Sequence, residues 1–182
     1  MLILASASPR RRELLDQIGV CHEVRPVDVD ETPHPGEAPD EFARRMARAK
    51  ALAGARHAAG QPVLGADTVV SIDGDILGKP RDREHALAML GRLSGRDHTV
   101  YSAVALVQGE RIREALSATR VRFKALSLPE REDYWASGEP VDKAGAYGIQ
   151  GRAALFVEHI QGSYSGVVGL PLFETGALLA GD

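Results

Sequence analysis

A chain of 182 residues that is 44% hydrophobic and 26% charged has apolar material for one sizeable core or two lobes sharing a cleft, and reads as a single domain over residues 1–182. Its 22 basic and 25 acidic residues give a formal net charge of -3, which excludes a global positive field for nucleic acid or an anionic membrane and makes any anion site local. One cysteine, Cys21, excludes an intramolecular disulfide, Met1 to Ala5 is too short for a signal-peptide core, and no segment approaches the ~20 apolar residues of a membrane helix; the expectation is a soluble, cytoplasmic protein.

Leu2 to Ala5 predicts a short buried strand, and Ser8-Pro9 opens a helix, since Ser is a favoured N-cap and Pro at the first helical position gives up no N–H that the helix needs. Leu14, Leu15 and Ile18 form its apolar stripe, and Gly19 ends it. His22 to Val27 predicts a second strand, followed by Asp28-Val29-Asp30-Glu31 and a proline-containing loop. A second helix runs from about Asp40 through Ala53 with Phe42, Met46 and Ala49 on one side. Val63 to Ile72 is a nearly continuous apolar run of strand length, and Asp73-Gly74 is the dipeptide of a type I′ hairpin turn.

Asp82 caps a helix extending to about Leu93, and Thr99 to Val107 with Ile112 to Lys124 form a meander hinged near Gly109. Ser127 and Glu130 have capping-box spacing for a short helix that includes Tyr134 and Trp135. A glycine-rich stretch, a strand near Leu155 to Ile160 and a helix from about Leu172 complete the chain. This order predicts an α/β fold, a mixed central sheet with flanking helices and room for a cleft between two lobes.

Chemistry collects at several places. In SASPRRRELL, Ser6 to Leu15, three arginines occupy a helix start that already carries partial positive charge. At ~100° per residue Arg11 falls near the middle of the inward face, with Arg10 and Arg12 beside it. The group is either a polyanion site or three solvated arginines with their stems lying along the surface.

In GADTVV, Gly65 to Val70, Asp67 interrupts the most strand-like run. A carboxylate there needs a cation or several donors, unless it merely caps a loop at the strand end. Gly65 shares its face and leaves room beside it. A two-residue turn at Asp73-Gly74 pairs Ile72 with Asp75, Val70 with Leu77 and Thr68 with Lys79, which puts Lys79 beside Asp67. A slip of the hairpin by one residue would turn Lys79 to the opposite face.

Lys50 lies on the apolar side of the second helix, where snorkelling is the bland explanation. Together Arg10, Arg11, Lys50 and Lys79 suit a triphosphate. Glu31, with Asp30 beside it, offers a second carboxylate for a hard divalent cation such as magnesium, or simply belongs with Asp28 to a solvated acidic loop. In KAGAYGIQG, Lys143 to Gly151, Gln150 can meet both donor and acceptor edges of a base, while Tyr147 can stack or pack. The six histidines show no metal-ligand spacing.

Taken together, SASPRRRELL, Asp30-Glu31-Thr32, GADTVV, Gly78-Lys79-Pro80, AGAYGIQG and GSYSGVVGLPL resemble the Maf family of nucleotide pyrophosphatases over essentially the whole chain. The YGIQG segment resembles the branch acting on dTTP and UTP rather than on methylated GTP. The resemblance implies an α/β fold with two lobes around a deep cleft, similar to the inosine triphosphate pyrophosphatases, and a homodimer. It implies hydrolysis of the triphosphate to monophosphate and pyrophosphate with a divalent cation, Mg2+ or Mn2+, and a nucleotide partner rather than nucleic acid or membrane. By motif position Asp67 matches the proton acceptor; Arg10, Thr68 and Gln150 match selectivity positions; Ser8, Arg11, Lys50 and Lys79 match phosphate contacts; and Glu31, with Asp67, matches the metal-site carboxylates. Arg12 is an extra arginine to which the family pattern gives no role. Two other readings use the same charges: a nucleotide-binding regulator of septum formation without turnover, and a nucleic-acid module, which the lack of an extended basic and aromatic stripe disfavours.

Overall fold

The strand from Val63 to Ile72, β3, organises the molecule, and it is buried along its length except at Asp67 and Thr68, which are half-buried. In the computed structural model, which describes residues 1–181, β3 is preceded by β1 (Leu2–Leu4), α1 (Pro9–Gln17), β2 (His22–Val24) and α2 (Pro39–Ala55). It is followed by β4 (Asp75–Leu77), α3 (Arg83–Leu93), β5 (Asp97–Gln108), β6 (Arg111–Phe123), α4 (Leu128–Ala136), β7 (Val157–Gln161), α5 (Tyr164–Val168) and α6 (Leu172–Ala180). The sheet runs β2-β1-β3-β5-β6-β7, with β4 added to β3. It is mixed: β1 is parallel to both β2 and β3, whereas β3, β5, β6 and β7 are antiparallel in turn. The α/β class expected from the element order is the one observed.

This order creates a switch point. From β1 the chain moves to β2 on one side, and from β2 it crosses back to β3 on the other. Right-handed crossovers then place α1 and α2 on opposite faces. The packing agrees: Leu14 and Leu15 of α1 join Leu64, Ala66 and Val70, while Phe42, Met46 and Ala47 of α2 join Val69, Ala103 and Ala105. Ligand crevices in open α/β sheets lie at such a reversal, beyond the carboxyl ends of the strands.

The two partners of β3 on that side leave it partly bare. β1 pairs only with Val63 and Leu64, and β4 only with Val70 to Ile72. β5 covers the opposite edge from Val63 to Ser71. The stretch from Gly65 to Val69 therefore faces a break in the sheet, which explains why Asp67 and Thr68 alone in β3 reach solvent.

Local chemistry sets the remaining boundaries. Asp73 and Gly74 take φ of 57° and 85°, the pair of positive values that a type I′ turn needs. Asp82 accepts a hydrogen bond from the His85 N–H at 2.8 Å, and Ser127 with Glu130 closes the capping box at α4. Ile18 lies outside α1 and is 40% exposed, because the helix ends at Gln17 and the chain turns there. The second strand stops at Val24 rather than Val27. α5 has only five residues, too few for a helical period to register.

Candidate active site

The break beside β3 opens into a cleft of about 640 Å³ lined by Ser8, Arg10, Arg11, Glu31, Lys50, Asp67, Thr68, Lys79 and Gln150. All nine residues singled out from the sequence therefore share one cavity. They come from separate elements: the loop after β1 and the start of α1, the loop after β2, α2, β3, the segment after β4, and the loop before β7.

Lys50 and Asp67 meet because α2 lies unusually close to β3. A Cβ on Gly65 would stand 2.3 Å from the Ala47 carbonyl oxygen and 2.4 Å from the Ala51 nitrogen, so only glycine permits this approach. The space that the sequence assigned to Asp67 is thus filled by the helix backbone. Lys50 Nζ donates to Asp67 Oδ1 at 2.7 Å and lies 2.6 Å from Glu31 Oε1. The side chains of Lys50 and Asp67 are 11% and 13% exposed, against 53% for Glu31, so one ammonium joins a buried carboxylate to a solvated one.

Burial pushes the Asp67 carboxyl above its ordinary pKa, against the pull of Lys50 and Arg11. For Glu31, burial acts upward too, but Lys50, with Lys79 and Arg11, holds the carboxyl below its usual value. Burial thus makes the inner carboxylate more basic than an ordinary aspartate, while the neighbouring cations make the outer one less basic than an ordinary glutamate.

Arg11 is held on the other face of the sheet. Its Nε donates to the Gly169 carbonyl at 2.8 Å, Nη1 to Ser6 Oγ at 3.1 Å and Nη2 to Thr68 Oγ1 at 3.4 Å. Burial lowers its pKa, opposed by Asp67, yet a guanidinium remains charged. Arg10 points to the far wall, 3.9 Å from Asp142 Oδ2, and Arg12 is exposed. Ser8 sits at the N-cap of α1 without a side-chain capping bond, so its hydroxyl and the helix N–H groups are open to an anion.

The hairpin register gives Ile72 opposite Asp75 and Val70 opposite Leu77, as expected, but the ladder ends at Leu77. Gly78-Lys79-Pro80 leaves the sheet, so Lys79 lines the cleft without standing opposite Thr68. Lys50 takes the place beside Asp67 that the extended register gave to Lys79. Tyr147 packs rather than stacks in the open: it is 5% exposed and lies edge-on to His98 and Phe123.

Sequence patterns missed three participants. Gly169, whose carbonyl holds Arg11, lies in GSYSGVVGLPL, where only the resemblance marked the segment. Asp142 faces Arg10 from the end of a four-residue 3-10 helix, Glu139–Asp142, too short to give a periodic signal. His98 is 3% exposed, and its Nε2 lies 2.8 Å from the Tyr147 hydroxyl. Alternation along β5 placed its side chain inward, the one signal available.

His98 also makes stability depend on pH. Burial pushes its pKa from 6.5 down to about 4, against Asp97. Between those values the unfolded chain holds a proton that the folded protein lacks, so stability is full above pH 6.5 and falls as pH drops toward 4. We expect this residue to account for roughly 3 kcal/mol across that window. In urea titrations His98→Gln should flatten the slope; an unchanged slope would contradict the assignment.

The donor set suits a magnesium-like ion. Glu31 and Asp67 already converge on one cation, Lys50, and magnesium typically takes one or two carboxylates together with substrate phosphate and water. Among the described residues no group of three His, Cys, Asp or Glu side chains forms a protein-only metal cage. No described helix is long and apolar enough to cross a membrane.

The family model for Maf-like protein matches residues 1–181. A dTTP/UTP pyrophosphatase of Methylococcus capsulatus is 58% identical over 179 residues, which cover 98% of this chain and 89% of that protein. A dTTP/UTP pyrophosphatase of Bordetella parapertussis is 57% identical over 187 residues, covering 98% and 90%. A solved structure of a HAM1 protein from Coxiella burnetii aligns at 17% identity and a TM-score of 0.46, covering 67% of this chain and 72% of that one. With a match that spans residues 1–181 and relatives above half identity over 98% of its length, the chain belongs to the Maf-like protein family.

Proposed function

We propose that this chain is a nucleoside triphosphate pyrophosphatase acting on dTTP and UTP, which splits the bond between the α and β phosphates to give the monophosphate and pyrophosphate. The observation that carries the reading is the position of Asp67 at the break in the sheet, paired with Lys50 and facing a wall of arginine and lysine. The names of the relatives supply the substrate class.

In this mechanism water attacks the α phosphorus and Asp67 takes its proton, a task suited to a carboxylate whose basicity is raised by burial. The bond from the α phosphorus to the bridging oxygen breaks, and pyrophosphate departs with the electron pair. Lys50 has three N–H donors and uses two on Asp67 and Glu31, which leaves one for a phosphate oxygen. Arg10, Arg11, Lys79, Ser8 and the start of α1 offset charge on the leaving pyrophosphate. Thr68 and Gln150 meet the nucleoside. Glu31 and Asp67 would hold a divalent cation such as Mg2+ or Mn2+, which when bound would supply further positive charge against the phosphate oxygens. The reading includes a cytosolic homodimer, testable by light scattering.

Purified protein incubated with dTTP, UTP, GTP and a methylated GTP, with magnesium and with chelator, tests the proposal. We expect metal-dependent release of monophosphate and pyrophosphate from dTTP and UTP first. Binding of these nucleotides without products from any of them would instead favour a regulator.

A further inference from the structure

The turn that carries Gln150 is tied down at both ends by one carboxylate. Glu139 Oε1 and Oε2 accept the Arg152 N–H at 3.1 and 2.9 Å. Oε1 also accepts the Tyr134 hydroxyl at 3.1 Å, and the Tyr134 oxygen accepts the Gly148 N–H at 3.1 Å. Within the turn, the Gly151 N–H donates to the Gly148 carbonyl at 3.1 Å. Gln150 is exposed to the cleft while its neighbour Ile149 is 6% exposed and belongs to the core.

The fit around Gly151 is close. A Cβ there would stand 1.9 Å from Glu139 Oε1 and 2.4 Å from its Cδ, so the carboxylate occupies the volume of the missing side chain. Tyr134 is 1% exposed, and burial pushes its phenol pKa up, which keeps it a hydroxyl able to donate to Glu139. Neither Glu139 nor Tyr134 lines the cleft. The Glu139 carboxylate and the Tyr134 hydroxyl reach the cavity through the backbone of residues 148–152, while the Glu139 main-chain carbonyl, which a side-chain substitution leaves in place, accepts from Lys143 in the cleft wall.

We propose that Glu139, through Tyr134, is a positioning residue for nucleobase selection: it fixes the Gly148 to Arg152 turn so that the Gln150 amide meets the Watson–Crick edge of a pyrimidine. This rests on the reading of the cleft as a nucleotide site with Gln150 at the base. A loose turn leaves the phosphate wall intact and blurs only the choice of base, because discrimination by hydrogen bonding requires the amide to be held still.

The test measures binding with non-hydrolysable probes, dTTP and dCTP carrying an imido bridge between the α and β phosphates, and with inorganic tripolyphosphate, which meets only the cationic wall. In Glu139→Ala we expect the preference for the dTTP analogue over the dCTP analogue to fall ~10-fold while tripolyphosphate affinity stays within ~2-fold. Glu139→Gln, which keeps one acceptor oxygen, should fall between, and Tyr134→Phe, which frees only the Gly148 end, should shift the ratio the same way even if the alanine variant folds poorly. An unchanged ratio in well-folded variants overturns the proposal, as does a parallel loss of tripolyphosphate binding. Binding of the dTTP analogue without hydrolysis of dTTP by the unaltered protein would defeat the hydrolase reading alone, and the ratio would still be readable.

Discussion

Asp67→Asn is expected to lower kcat on dTTP by ~10²- to 10⁴-fold while KM changes little, the pattern of a lost proton acceptor. The substitution is nearly isosteric, and the amide oxygen can still accept from Lys50, whose 2.7 Å bond to Asp67 Oδ1 anchors this part of the cleft. What the amide cannot do is take a proton from water. Because burial raises the Asp67 pKa, activity of the unaltered protein should also decline on the acid side as this carboxyl fills with its proton. Full turnover by a correctly folded Asp67→Asn protein would remove Asp67 from the chemistry and leave it as the partner of Lys50.

Lys50→Met is expected to have the next largest effect, a loss of ~100-fold or more in kcat/KM. The methionine keeps much of the apolar stem against α2 but removes the ammonium shared by Glu31 and Asp67. Two carboxylates then face one another without their common counter-ion, and both the base and the phosphate contact suffer. A stability loss of about 2 kcal/mol should accompany it, moderated by the solvent around Glu31. Lys50→Arg should recover the stability better than the rate, since a planar guanidinium cannot reproduce the compact ammonium between the carboxylates. Activity within ~3-fold of the unaltered protein in Lys50→Met would contradict the shared role.

Much of the fold is legible because local rules and tertiary packing agree. Asp73-Gly74 has one comfortable turn type, and the structure uses it; the caps at Asp82 and Ser127 likewise need only their own neighbours. The continuous apolar run of β3 announces a strand buried on both faces. What could not be read locally is how elements dock. Strand order, and with it the switch point between β1 and β3, depends on crossovers that leave no local trace.

The same division holds at the cleft. Lys50 and Asp67 each stand out as a charge on an apolar surface, yet their union depends on Gly65 letting α2 descend onto β3. An unbroken hairpin would put Lys79 beside Asp67 instead, but the chain leaves the ladder after Leu77. Glu139 had no signature at all: its role lies in backbone N–H groups more than ten residues away, at Arg152. Buried networks of this kind connect positions by space rather than by spacing.

The most direct measurement is hydrolysis of dTTP with magnesium in water enriched in heavy oxygen, with both products analysed by mass. We expect thymidine monophosphate and pyrophosphate, with the heavy atom in the monophosphate, since water attacks the α phosphorus. Heavy oxygen in the pyrophosphate, release of diphosphate and orthophosphate, or no products at all would contradict the assigned reaction.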